Sequence, residues 1–314
     1  MKNVWSNYQL NGGTMMRKVI GGVFTCIILG TLCLLFTGCQ SEQKNDLGTN
    51  ATQNDVTIAG STSLQPLVEK AVKLYKEKIP GARITVEGGG SAAGLMKVQN
   101  GTAQIGNSDI FAEQQEGIHP DKLRDYRVAV VGVAPVVNKD VGITNVTMSQ
   151  LRDIFLGRIT NWQQLGGKNE KISVITRTKD SGTRTTFQRA VLYMYDKPVK
   201  TQEQTSNQDV KDIVEKTPGA VSYLPFSYLN DTNNIQTLTI DRVAPNYQNV
   251  SVNKWKIWSY EHMYTRGKPK VIEAGLLKYL LSAPVQNNLL PKFGYYSTNK
   301  MKVKMNEIGE VSSK

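Results

Sequence analysis

Residues 56–67 read VTIAGSTSLQPL, and this stretch decides the fold. The run from Val56 to Ala59 is short and β-rich, it breaks at the polar turn Gly60-Ser-Thr-Ser, and apolar residues then return at Leu64, Leu67, Val68, Ala71, Tyr75 and Ile79, the spacing of one helix face. Strand, polar turn, helix is the reading. Pro66 suits the first helical turn, where a missing amide costs nothing, and Pro80-Gly81 closes the helix. The pattern then repeats: a strand at 83–87, the turn GGGSAAG at 88–94, a short helix ending at Asn100-Gly101, and a strand at 103–106 running into Asn107-Ser108-Asp109. Such alternation predicts an α/β fold around a mainly parallel sheet.

Further along, residues 126–137 form a nearly continuous β-branched run, longer than one buried strand needs, which suits a segment crossing between two lobes. Alternation resumes beyond it. Helices are expected at 151–156, 162–165 and 183–195, a strand at 172–176, a return crossing in the aromatic run 255–264 and an amphipathic helix at 271–281. A chain of 314 residues suits about two domains.

Arg17 and Lys18 precede an uncharged apolar run at 19–36, the layout of an export signal, and Gly38-Cys39 follows directly. Residues 40–55 are polar without hydrophobic period and suit a flexible tether. The three cysteines, Cys26, Cys33 and Cys39, all lie in this leader, so the remainder has no disulfide framework or thiol-based zinc site to draw on. Two histidines, His119 and His262, make histidine metal sites improbable and are read as structural. The formal charge is +12; removing residues 1–38 takes away Lys2, Arg17 and Lys18 and no acid, which leaves +9. These bases are mixed along the chain, which argues against a nucleic-acid arm and suits anionic small molecules or a solubilising surface.

Three turns share one composition: Ser61-Thr62-Ser63, Gly90-Ser91, and Asp180-Ser181-Gly182-Thr183, each entering an expected helix. Taken singly, each is ordinary N-capping. Taken together, their unpaired amides, partial positive charge and hydroxyls could enclose one small anion. Arg177 ends the strand before the third turn and could grip an oxyanion through two parallel hydrogen bonds, with Arg184 as a rival read as a solvated helix residue. A carboxylate at Asp109 would repel an anion unless the ligand brings a proton for it to accept; hydrogen phosphate does, and sulfate at neutral pH does not. Gly88, Gly90 and Ala93 also match the dinucleotide pattern G-x-G-x-x-G/A, with Asp109 about twenty residues on. That pattern is short, leaves Arg177-x-x-x-Ser181-Gly182-Thr183 unexplained, and needs a nicotinamide cofactor that an exported chain lacks.

The ordered segments 60–67, 88–94, 107–109, 151–162 (LRDIFLGRITNW) and 177–183, with GAVSY at 219–223 and GYY at 294–296, resemble the phosphate-binding lipoprotein of the bacterial high-affinity phosphate ABC transporter. The resemblance implies a two-lobed periplasmic-binding-protein fold of type II with two crossing segments, closing around inorganic phosphate without chemical change. It implies phosphate ligands Thr62, Ser63, Ser91, Asp109, Arg177, Ser181, Gly182 and Thr183, and lipidation at Cys39 after removal of a signal peptide, residues 1–38. The tether is then 39–55, lobe one 56–132 with 263–314, and lobe two 133–262. Some members carry an acid two residues after the arginine, where Lys179 stands here with Asp180 following. Expected partners are phosphate, a permease with its ATPase, and the membrane through the lipid. No cofactor, metal or nucleic acid is expected, and the protein is read as a monomer on the extracytoplasmic face of a Gram-positive cell membrane. The alternatives are a binder of a related oxyanion, a phosphate-handling enzyme, disfavoured for want of a nucleophile-base pair, or an adhesion or signalling protein that kept the fold.

Overall fold

The computed structural model describes residues 55–193 and 201–314. The export signal, Cys39 and the tether up to residue 54 lie outside the described residues. The first strand-turn-helix is β1 (Asp55–Gly60) and α1 (Gln65–Lys78), followed by β2 (Arg83–Gly89), α2 (Ser91–Asn100) and β3 (Ile105–Ser108). A long strand β4 (Leu123–Asn138) leads to β5 (Asn145–Val146), α3 (Met148–Phe155), β6 (Ser173–Arg177), α4 (Gly182–Phe187), β7 (Gln202–Gln204), α5 (Asn207–Lys216), β8 (Ala220–Pro225) and β9 (Ile235–Thr237). Then come β10 (Thr239–Ile240), α6 (Tyr247–Ser251), the return strand β11 (Trp258–Arg266) and α7 (Val271–Leu280).

The principal sheet runs β2-β1-β3-β11-β4-β8-β6-β7, with β9 also on β4. Its two wings are parallel: β1 with β2 and β3 in one, β6 with β7 and β8 in the other. Its middle is antiparallel, because β4 and β11 traverse the molecule in opposite directions. The sheet is therefore mixed where the alternation predicts a mainly parallel one. A crossing that leaves a lobe and returns must reverse, and strand periodicity carries no direction.

β4 belongs to both lobes. Its first ten residues pair with β11, from Leu123 opposite Arg266 to Gly132 opposite Trp258, and from Val133 onward it pairs with β8. On the first wing, α1 and α7 cover one face, burying Leu67, Val68, Leu276 and Leu280 against Ile58 and Ile105. Each such leucine contributes about 1.5–3 kcal/mol relative to an exposed side chain. α2 covers the other face and lies directly on the sheet: a Cβ on Gly94 would stand 2.7 Å from Ala59 O and 2.6 Å from Asn107 O. On the second wing, Phe155, Phe187 and Tyr223 form an aromatic cluster that continues into Trp162 and Trp255, and Met301 and Met305 join the same core. Val210 and Val214 of α5 pack on the opposite face. The helix expected at 183–195 is α4 followed by one π-helical turn, Gln188–Leu192; Tyr193 then takes a left-handed φ of 52°, which ends it.

Candidate functional site

The turn after β1, the start of α2, the end of β3, the end of β6 and the start of α4 meet at one place. Ser61, Thr62, Ser63, Ser91, Asp109, Arg177, Ser181 and Thr183 are all buried there. Each residue sits where a strand ends or a helix begins; Ser61 accepts from the Ser63 amide, and Ser91 accepts from the Asp109 amide of another turn. Ser181 caps α4 by accepting from the Arg184 amide at 3.2 Å.

Asp109 is the centre. Ser61 Oγ donates to its Oδ1, Thr183 Oγ1 donates to its Oδ2 at 2.8 Å, and its own amide donates to Ser91 Oγ at 2.9 Å. Hydroxyls from both lobes thus converge on one carboxyl. Gly182 belongs to the same contact, since a Cβ there would lie 2.9 Å from Asp109 Cβ and press on the Ser91 side chain. Burial pushes the Asp109 carboxyl above the usual range, opposed by its hydrogen bonds from Ser61 and Thr183 and by the charge of Arg177.

Arg177 is only 1% exposed, and every acceptor it reaches is neutral. Its Nε donates to Gln204 O at 3.2 Å, Nη2 to Thr205 O at 2.8 Å and to Thr62 Oγ1 at 3.3 Å, and Nη1 to Asn207 Oδ1. Burial lowers its pKa, and no carboxylate forms an ion pair with it among the described residues. Its positive charge is left for whatever enters. Asn207 opens α5 behind the cap Ser206, and both its amide and its Nδ2 donate to Thr62 Oγ1, at 3.3 and 3.1 Å.

Sequence reasoning names the turn Ser61-Thr62-Ser63 but leaves Ser61 out of the ligand set, and the geometry divides the work of the two serines. Ser61 takes Asp109, whereas Ser63 Oγ turns inward and donates to Glu261 Oε1 at 2.6 Å. It also passes over Asn207, Glu261, Tyr228 and Tyr295; the last two donate to the carbonyls of Thr62 (2.8 Å) and Ser63. Two signals were present in the sequence: the capping box Ser206-x-x-Asp209, and an acid inside the aromatic strand β11. Arg184 stands apart from the cluster, but it is not a free surface residue. It donates to Arg177 O and pairs with Glu203 at 2.8 Å, which pins the end of β6. His262 is buried against Asp125 at 2.7 Å and stacks on Tyr264, while His119 is exposed. In the Gly88–Ala93 segment, Gly90 faces Asp180 O, where a Cβ would come within 2.6 Å, and the Ala92 amide donates to the same carbonyl at 3.2 Å. That loop closes on the other lobe and leaves no cradle for a pyrophosphate. Among the described residues no three His, Cys, Asp or Glu side chains gather as a metal site.

A PBP superfamily domain profile matches residues 47–284. The phosphate-binding protein PstS of Bacillus subtilis (strain 168) is 41% identical over 275 residues, covering 87% of this chain and 90% of that one. The chain belongs to this family of phosphate-binding proteins. A crystal structure with bound phosphate from Clostridium perfringens, described as a phosphate ABC transporter substrate-binding protein, superposes with a TM-score of 0.72 at 27% identity. The match covers 78% of this chain and all of that one. An ABC-type phosphate transport receptor from Vibrio cholerae gives a TM-score of 0.62 at 25% identity, covering 77% of this chain and 99% of the receptor. The family fold is the two-lobed α/β architecture described above.

Proposed function

We propose that this protein is an extracytoplasmic solute-binding protein that captures inorganic phosphate between its lobes and delivers it to an ABC permease and its ATPase. One observation carries the reading: a guanidinium held only by neutral acceptors lies beside a buried carboxyl, both ringed by hydroxyls from the two lobes. The guanidinium attracts any oxyanion. The carboxylate admits only one that brings a proton, which suits hydrogen phosphate and disfavours sulfate.

In this reading Arg177 binds the anion's charge, and Asp109 accepts its proton. Thr62, Ser63, Ser91, Ser181 and Thr183 supply hydroxyl or amide donors, and Gly182 gives its amide while leaving room. Ligand capture needs no bond making, so the protein is not an enzyme. Lobe one is 56–132 with 263–314 and lobe two 133–262, with Met301 and Met305 reaching onto the second lobe's core. A lipid on Cys39 and the tether 39–55 would hold the monomer on the outer face of the cell membrane. No helix among the described residues is long and apolar enough to cross a membrane.

Calorimetric titration of the folded part with phosphate, sulfate, arsenate and molybdate tests the reading. Phosphate should bind and sulfate should fail by a factor on the order of 10⁴, because a rejected analogue leaves buried groups unpaired. Equal binding of sulfate would overturn it.

A further inference from the structure

Among the described residues, Glu261 is the buried acid near the cluster that the reading above leaves without a task. It sits in the middle of β11, fully buried, between Tyr260 and His262. Its Oε1 accepts from Ser63 Oγ at 2.6 Å; its Oε2 is buried with no hydrogen-bond partner among the described residues. The ladder to β4 is irregular at this point: Glu261 stands opposite Ala129 and His262 opposite Arg127, so Val128 has no counterpart. An extra residue of this kind re-aims neighbouring side chains, and such irregularities favour functional sites. The carboxyl of Asp109 is its neighbour in the interior.

Two carboxylates cannot both stay ionised in a shared, water-excluded space. Burial, and then the Asp109 charge, push the Glu261 carboxyl well above its usual range. We propose that Glu261 is a specificity and positioning residue of the phosphate site: it keeps a proton beside Asp109, so that the pair carries one negative charge and Asp109 alone receives the ligand's proton. This rests on the phosphate reading and adds a second requirement to it. Asp109 reads whether the ligand is protonated; Glu261 sets whether Asp109 can do so without a second charge beside it.

The surroundings leave the pair in control of its own charge. Ser63 faces Glu261 from the turn before α1, Asp109 from the end of β3, Tyr228 from the segment after β8, Tyr247 from α6, and Tyr295 from the segment after α7, while Arg177 at the end of β6 acts on Asp109. Burial raises all three tyrosines, so they remain neutral while Glu261 titrates. Among the described residues no cation offsets Glu261 directly, and the charge of Arg177 falls on Asp109. Along the strands, His262 pairs with Asp125, and Arg127 lies over the rings of Phe111 and Tyr260. The sign follows from the raised pKa: the proton is present at lower pH and is lost as pH rises through the folded value, after which the anion meets two carboxylates against one guanidinium.

The experiment is calorimetric titration of phosphate from pH 7 to 9.5 on the intact folded chain and on Glu261→Gln, whose amide keeps shape and hydrogen bonding and cannot ionise. Comparing the two cancels the titration of phosphate itself and of the surface lysines. Relative to the variant, the wild type should lose affinity by about tenfold per pH unit once the proton leaves, with close to one proton taken up on binding, as linkage requires. The variant should hold its affinity within about threefold of its neutral value and show none of this extra uptake, by the same linkage. Parallel pH profiles overturn the inference if the infrared spectrum of the wild type at pH 7 lacks a protonated-carboxyl stretch that Glu261→Gln removes; if that stretch is present, the proton is held across the whole range and the inference stands. Should the variant fail to fold, the same stretch in the wild type and its proton count, from titrations in two buffers of different ionisation enthalpy, decide together. Failure of the wild type to bind phosphate at pH 7 would instead overturn the proposed function.

Discussion

Arg177→Ala removes the guanidinium on which the proposed anion site depends. The side chain is buried, its acceptors are Gln204 O, Thr205 O, Asn207 Oδ1 and Thr62 Oγ1, and none of them is charged. Truncating a buried charge-assisted partner costs about 2–5 kcal/mol of binding, so phosphate should weaken by roughly 30-fold to a few thousand-fold. The orphaned carbonyls and amide add a separate loss of about 1–3 kcal/mol to the unliganded fold. Thermal unfolding with and without phosphate separates the two effects. At phosphate one hundred times its dissociation constant the wild type gains about 2.7 kcal/mol, whereas a variant a thousand-fold weaker gains under about 0.1 kcal/mol at the same concentration. Arg184→Ala serves as the control, because that side chain ties Arg177 O to Glu203 and reaches neither Asp109 nor its hydroxyls. A ligand-induced gain that survives in Arg177→Ala, or that disappears only in Arg184→Ala, refutes the assignment.

Asp109→Asn removes the repulsion that excludes an unprotonated anion and offers a donor in its place, so titrations at neutral pH should show the phosphate-to-sulfate ratio falling; an unchanged ratio means Asp109 does not read the proton. Gly182→Ala puts a methyl group against Asp109 and Ser91 where the lobes meet. Overpacking of about 1–3 kcal/mol should weaken phosphate by roughly 5- to 150-fold while the unliganded melting temperature stays near that of the wild type, and full affinity would show that closure does not need this contact. Cys39→Ser removes the thiol that a thioether lipid requires, so metabolic labelling with a fatty acid should fail, and persistent label contradicts the anchor.

The hydroxyl turns were legible in the sequence because capping is local: Ser61 accepts from the Ser63 amide, Ser181 from the Arg184 amide, and Arg177 ends its own strand, whereas Ser91 and Thr183 reach across to Asp109. The crossing segments were legible from length, since sixteen residues of β4 exceed what one lobe can bury. Direction was not, because β-branched composition is blind to whether a strand runs with or against its neighbour. The roles of Asn207 and Glu261 depend on contacts across 145 and 198 residues of chain, to Thr62 and Ser63 respectively. No periodicity reports such meetings. The division of labour between Ser61 and Ser63 was hidden for a related reason: neighbouring hydroxyls in one turn differ only in the way they point, and the interior decides that.

At Gly132–Val133 the long strand changes partners, from Trp258 on one side to Pro225 on the other, and the ring of Phe226 lies against Gly132 where a side chain would otherwise project. The two lobes are one continuous backbone at this point, so any swing of one against the other must be taken up in a strand that they share. The Thr183–Asp109 bond, at 2.8 Å, has no slack to follow such a swing. Other bonds between the lobes, from Arg177 and Asn207 to Thr62, lie at the same place, so parting the lobes lengthens all of them together.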